Sequence, residues 1–172
     1  MRFIDIPKFP RAHYQVDVPW VRLEQYLLFD HGDLPLDLEP DYQRGHVWSD
    51  AQRIAYLEYQ LMGGEAAKVV IANCPGWDYG GDLGPYELVD GLQRITAVRM
   101  FLSNELKAFG YYYKEYTDQL RIHEAGFKWQ VLSLATRAEV LNFYLLLNSG
   151  GVAHSPEEIG RVKKLLEKER EA

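Results

Sequence analysis

Glu87-Leu88-Val89-Asp90-Gly91-Leu92-Gln93-Arg94-Ile95-Thr96-Ala97 is the stretch on which the fold turns. Its first part, with Tyr86, predicts a short strand over 86–90, and a helix is expected from Gly91 to Leu106. Leu92, Ile95, Val98, Leu102 and Leu106 would form the buried stripe of that helix. A strand ending at Asp-Gly and running straight into a helix has a chemical use. The first helical turn carries N–H groups without partners, and the helix dipole places positive potential there. A glycine lets a ligand approach the backbone, and an arginine in the first turn forks onto phosphate oxygens. Gly91 followed by Arg94 therefore reads as an anion seat, with phosphate the obvious anion. Asp90 is a candidate magnesium ligand, since that ion accepts one or two carboxylates plus water and ligand oxygens. The plainer reading of Asp90-Gly91 is an ordinary turn and cap.

A second cluster lies upstream: Pro40-Asp41-Tyr42-Gln43-Arg44-Gly45-His46-Val47-Trp48. Arg44 offers a second cationic fork, and Gln43 and Gln93 are placed to orient a phosphate or a water. The plain alternatives are a surface ion pair for Arg44 and a core position for Trp48.

Around these clusters the chain punctuates itself. Ser49-Asp50-Ala51-Gln52, Thr136-Arg137-Ala138-Glu139 and Ser155-Pro156-Glu157-Glu158 each place a hydroxyl residue three before Glu or Gln, the capping-box pattern. They predict helices from 49 to about Met62, with Ala51, Ile54, Leu57 and Leu61 inward, from 136 to about Leu147, and from 155 onward. The last should bury Ile159, Val162, Leu165 and Leu166. Gly63-Gly64 and Asn148-Ser149-Gly150-Gly151 are the stops. A further helix is expected around Trp20 to Phe29. Lys68–Ala72 reads as a β-branched strand, with weaker candidates at Tyr14–Val18, Tyr111–Tyr113 and Phe127–Leu132. Asp30–Pro40 and Asn73–Pro85 read as loops. Strands and helices without strict alternation predict an α+β domain with a small mixed sheet.

Composition sets the outer bounds. The chain has 172 residues, 47% hydrophobic and 26% charged, with a formal net charge of -6. That size predicts one domain over 1–172 and excludes a disordered or low-complexity chain. No basic-then-apolar leader and no apolar run of about 18 residues is present, so a cytoplasmic protein without a membrane span is expected. Cys74 is the single cysteine and reads as a small hydrophobe at a strand end. The acidic balance disfavours DNA as a partner, because phosphate neutralisation supplies most non-specific affinity. Phe109 to Tyr113, with Tyr116, offers rings for base stacking, but without a basic surround a strand with one buried face is the expected reading. Trp77 and Tyr79 read as a lid or as loop anchors.

The two clusters together resemble a known family. Tyr42-Gln43-Arg44 with Trp48, then Val89-Asp90-Gly91, Gln93-Arg94 and Thr96, is similar to the N-terminal domain of GmrSD-type restriction enzymes, whose fold is ParB/sulfiredoxin-like. Leu146-Leu147-Asn148-Ser149-Gly150-Gly151 matches that family's habit of ending a helix in Asn-x-Gly-Gly. The resemblance is strongest over 40–106 and 143–166. It implies binding and hydrolysis of a nucleoside triphosphate with magnesium. Asp90, Gln93 and Arg94 would be catalytic, and Gln43, Arg44, Gly91, Arg94 and Asn148 would hold the nucleotide, with Asp90 on the metal. It also implies a bacterial or phage restriction or defence role. Two positions depart from the pattern. Leu92 replaces the middle amide of Asp-Gly-Gln-Gln-Arg, and His46 replaces an aromatic residue. Losing one amide is expected to weaken hydrolysis while leaving binding intact.

In longer relatives this domain is joined to an HNH-type nuclease. The scattered histidines His13, His31, His46, His123 and His154 make no such cluster. The expectation is thus a domain without its own nuclease, working with a nuclease or other effector in trans. The rival expectations are a non-catalytic adaptor or inhibitor on the same fold, and a ParB-like DNA-binding regulator.

Overall fold

A computed structural model describes residues 10–12, 14–28, 35–77, 84–121, 125–148 and 156–171. Several sequence expectations lie outside these residues: the Phe29 helix end, positions 30–34 of the 30–40 loop, the Ser149-Gly150-Gly151 stop, the Ser155 cap, Tyr79, and all the histidines except His46.

The protein is α+β. Strands β1 (Tyr14–Pro19), β6 (Gly126–Leu132), β2 (Val69–Asn73) and β3 (Glu87–Asp90) form one mixed sheet in the order β1-β6-β2-β3. The β1/β6 and β2/β3 pairs are antiparallel, and β6/β2 is parallel. Alternation within the strands sends side chains to opposite faces. Val18, Val70, Ala72, Leu88, Phe127, Trp129 and Val131 pack on one face against Trp20 and against helices α2 (Asp50–Leu61) and α3 (Leu92–Leu102). Ile71, Val89 and Leu132 pack on the other against α4 (Arg137–Asn148) and α5 (Pro156–Glu171). The sheet is thus a middle layer between two helical layers. Among the described residues no helix is long and apolar enough to cross a membrane.

Local chemistry explains the helix starts. Ser49 accepts from the Gln52 N–H, and the Gln52 side chain accepts from the Ser49 N–H. Thr136 and Glu139 exchange the same pair of bonds. Such caps are each worth about 1 kcal/mol.

Four expectations need correction. On α2, Leu57 is buried and Ile54 and Leu61 pack against the core as expected, but Ala51 is exposed and Tyr56 and Gln60 join the buried face. Helix α3 stops at Leu102, because Asn104 takes a left-handed φ of +64° and turns the chain. Leu106 still reaches the core, its N–H bonded to the Met100 carbonyl across that turn. The early helix opens as a 3-10 turn, Trp20–Arg22, before α1 (Leu23–Leu27). The aromatic run is not a half-buried strand: β4 (Lys107–Ala108) and β5 (Tyr111–Tyr112) form a two-stranded hairpin, and Tyr113–Glu115 is a 3-10 turn. Cys74 is buried just after β2, and Trp77 stacks on Tyr86 with ring centroids 6.1 Å apart, as a loop anchor.

Candidate functional site

Strand β3 is an edge strand, and an open edge would present unpaired backbone groups. Residues 37–43 cover it. Asp37 donates its N–H to the Tyr86 carbonyl and accepts from the Leu88 N–H, both at 2.8 Å. The Gln43 amide nitrogen then donates to the Leu88 and Val89 carbonyls, 3.0 Å each, and the Tyr42 hydroxyl donates to the Leu88 carbonyl. The upstream motif is in this way laid along the strand that leads into α3.

Gly91 makes the turn from strand to helix. Its φ is +121°, a conformation that side chains rarely adopt, and an added Cβ would lie 3.0 Å from Val70 Cγ2. This glycine is therefore required by the turn and by its packing on β2, not only by ligand approach. No side chain caps α3, so its first-turn N–H groups are left for other partners.

Gln93 is buried in the first turn of α3. Its Oε1 accepts from the Val47 and Trp48 N–H groups, and its Nε2 donates to the Gly45 carbonyl. Three of its four hydrogen-bonding positions are used to hold 45–48 in place. Gln43 has spent both amide hydrogens and keeps only a carbonyl oxygen, which suits no anion. These two glutamines join the motifs to each other.

The cations are arranged differently. Arg94 Nη2 donates to Asp90 Oδ2 at 2.5 Å, an i,i+4 pair in which Arg94 is mostly buried and Asp90 half exposed. Arg94 Nε is buried without an acceptor. Arg44 makes no ion pair among the described residues. Together the three side chains leave one positive charge.

The structure brings all seven expected site residues together. Gln43, Arg44, Asp90, Gly91, Gln93, Arg94 and Asn148 line one cleft of about 80 Å³, with Trp48 and Tyr144. That volume holds on the order of two or three waters, which is the scale of a phosphate group and not of a nucleotide. Tyr144 and Arg161 escaped the sequence reading. Tyr144 lies one helical turn before Asn148, so spacing alone could have found it. Its hydroxyl bonds to the Arg44 backbone, and burial raises its pKa. Its ring meets Tyr42 edge-on at 5.1 Å. Asn148 donates back to the Tyr144 carbonyl at 2.7 Å. Arg161 of α5 donates to three successive carbonyls, those of Asp41, Tyr42 and Gln43, at 2.8–3.2 Å. No local pattern signals that contact across the chain.

Asp90 is the single carboxylate of the cleft, and no group of three metal-ligating side chains occurs among the described residues. With Oδ2 on Arg94, Asp90 suits at most one contact to a magnesium ion carried in by phosphates. His46 stands outside the cleft, between Glu39 at 3.2 Å and Thr96 at 3.3 Å.

No family model matches the chain, and no curated protein is significantly similar to it.

Proposed function

We propose that this is a nucleoside-triphosphate-binding domain of the GmrSD N-terminal kind, ParB/sulfiredoxin-like in fold, acting in a bacterial or phage restriction or defence system. The observation that carries this reading is the meeting of Arg44, Arg94 and the uncapped start of α3 at one phosphate-sized cleft. Three separate stretches of chain supply it. The helix start and Arg94 hold the terminal phosphates, and Arg44 offsets their charge. The base and sugar lie outside the cleft. Magnesium arrives with the nucleotide and neutralises phosphate charge. A nuclease or other effector in trans would read the bound state.

Calorimetry with each of the four nucleoside triphosphates and magnesium tests this. At least one should bind, and Arg44→Ala should weaken it by about tenfold or more. No heat with any of them removes the proposal. Phosphate release by wild type and Arg94→Ala then separates turnover from binding, and equal rates clear Arg94 of a catalytic role.

One finding favours a second reading, a non-catalytic adaptor or inhibitor that binds without hydrolysis. Gln93 is consumed in holding 45–48, and Leu92 supplies no second amide to orient water. Binding without phosphate release is its signature. A ParB-like DNA-binding role is opposed by the net charge of -6, and an absent gel shift at low salt would dismiss it.

A further inference from the structure

The hairpin β4–β5 carries a feature that the cleft does not explain. Phe109 sits at its tip with φ +51°, and Gly110 follows at +83°. A bulky side chain in the left-handed region is strained, and such strain persists only where the surroundings enforce it. Here the two-residue hairpin loop between Ala108 and Tyr111 requires it, and Glu58 of α2 holds the loop, its Oε1 accepting the Phe109 N–H at 2.7 Å. The ring that results is 48% exposed.

That ring is one wall of a pocket of about 320 Å³. Phe101, Tyr113 and Tyr116 supply three more aromatic walls, and Leu61 and Leu120 add aliphatic surface. Tyr113 and Tyr116 both stand edge-on to Phe101, at 5.5 and 6.0 Å. The Tyr116 hydroxyl is tied to the Ala108 carbonyl at 2.7 Å, which fixes its ring. Asp118 is the charged residue of the lining, and no Lys or Arg lines it. Neither Asp118 nor Glu58 has a basic partner among the described residues. Lys107 is occupied elsewhere, 4.7 Å over the Tyr112 ring, outside the pocket lining.

Ring faces carry negative potential, and the Asp118 carboxylate adds to it. An uncharged base would gain stacking but nothing from Asp118, and its phosphate would be repelled. The geometry points to a second ligand site at this hairpin: an aromatic cage for an alkylated ammonium group, bounded by Phe101, Phe109, Tyr113 and Tyr116 and completed by Asp118. It is separate from the phosphate-sized cleft. Helix α3 serves both, with its start at one and Phe101 near its end at the other.

The test is an NMR titration of the intact chain with choline and with tetramethylammonium, reading the amide resonances of Gly110 and Gln119. Both cations should shift them, and the neutral carbon isostere of choline should not. Asp118→Asn keeps the shape and removes the charge, and should weaken binding about fivefold. Phe109→Gly removes one wall at a position where glycine is the favoured residue. Its melting temperature should hold or rise while choline binding falls at least as far. The cage is refuted if the cations leave these resonances in place, if the neutral isostere shifts them equally, or if both variants bind choline as tightly as wild type.

Discussion

Glu87 is a carboxylic acid with almost no water around it. Burial raises its pKa; Arg137 opposes the shift, and Asp37 and Asp41 reinforce it. A proton on Glu87 therefore favours the folded state. That contribution is full below the ordinary glutamate range and is lost as pH rises through the raised value. Glu87→Gln should gain stability relative to wild type as pH increases from about 4 to 7. Urea midpoints of the two proteins across that range check this; a constant difference would mean that Glu87 does not titrate there. In sequence, Glu87 looked like a polar residue at a strand start. Its burial was illegible because the segment that covers it, residues 37–43, lies more than forty positions away. The same distance hid the work of Gln43 and Gln93. Their residue types suggested ligand chemistry, but an amide aimed at a backbone carbonyl and one aimed at a phosphate read identically in a sequence.

At the scale of elements, local signals were legible and long-range ones were not. Ser49 and Gln52 announced α2, and Thr136 and Glu139 announced α4, because a capping box is complete within four residues. Helix α3 is shorter than its apolar spacing predicts. Its apolar spacing continues through Leu106, and only the left-handed turn at Asn104 shows where the helix stops. Helix α5 was recognised by its stripe, of which Val162 and Leu166 are fully buried. Its clamp on the upstream motif was not. Arg161 bonds three carbonyls of residues 41–43, so α5 holds in place the segment that presents Arg44. Arg161→Ala should cost about 1–2 kcal/mol, measured by urea unfolding, and should weaken the proposed nucleotide binding with it. An unchanged unfolding midpoint would show that α5 does not anchor that segment.

For the whole molecule, the sequence predicted an α+β class and a small mixed sheet, and both are present. The strand order β1-β6-β2-β3 was beyond it, since β6 arrives from the far end of the chain to lie parallel to β2. The candidate cleft was legible as a set of residues, because two sequence motifs and one asparagine at a helix end supply it. Its small volume and the Asp90–Arg94 pair were not. A ligand that binds only the folded chain stabilises it globally. At a hundredfold excess over Kd the gain is about 2.7 kcal/mol, or about 5–10 °C in Tm for a chain of this size. A melting curve with and without the nucleotide identified by calorimetry checks this, and an unmoved Tm at saturation would contradict folded-state binding.

The amide bonds that join the two motifs carry an evolutionary consequence. Replacing Gln93 or Gln43 would loosen the backbone at the sheet edge whether or not any phosphate is ever cleaved. Selection for a properly assembled polypeptide is therefore enough to preserve both signatures. A chain with no phosphate to hold would still spell them out, while Arg44, whose side chain has no such internal duty, would be at liberty to drift.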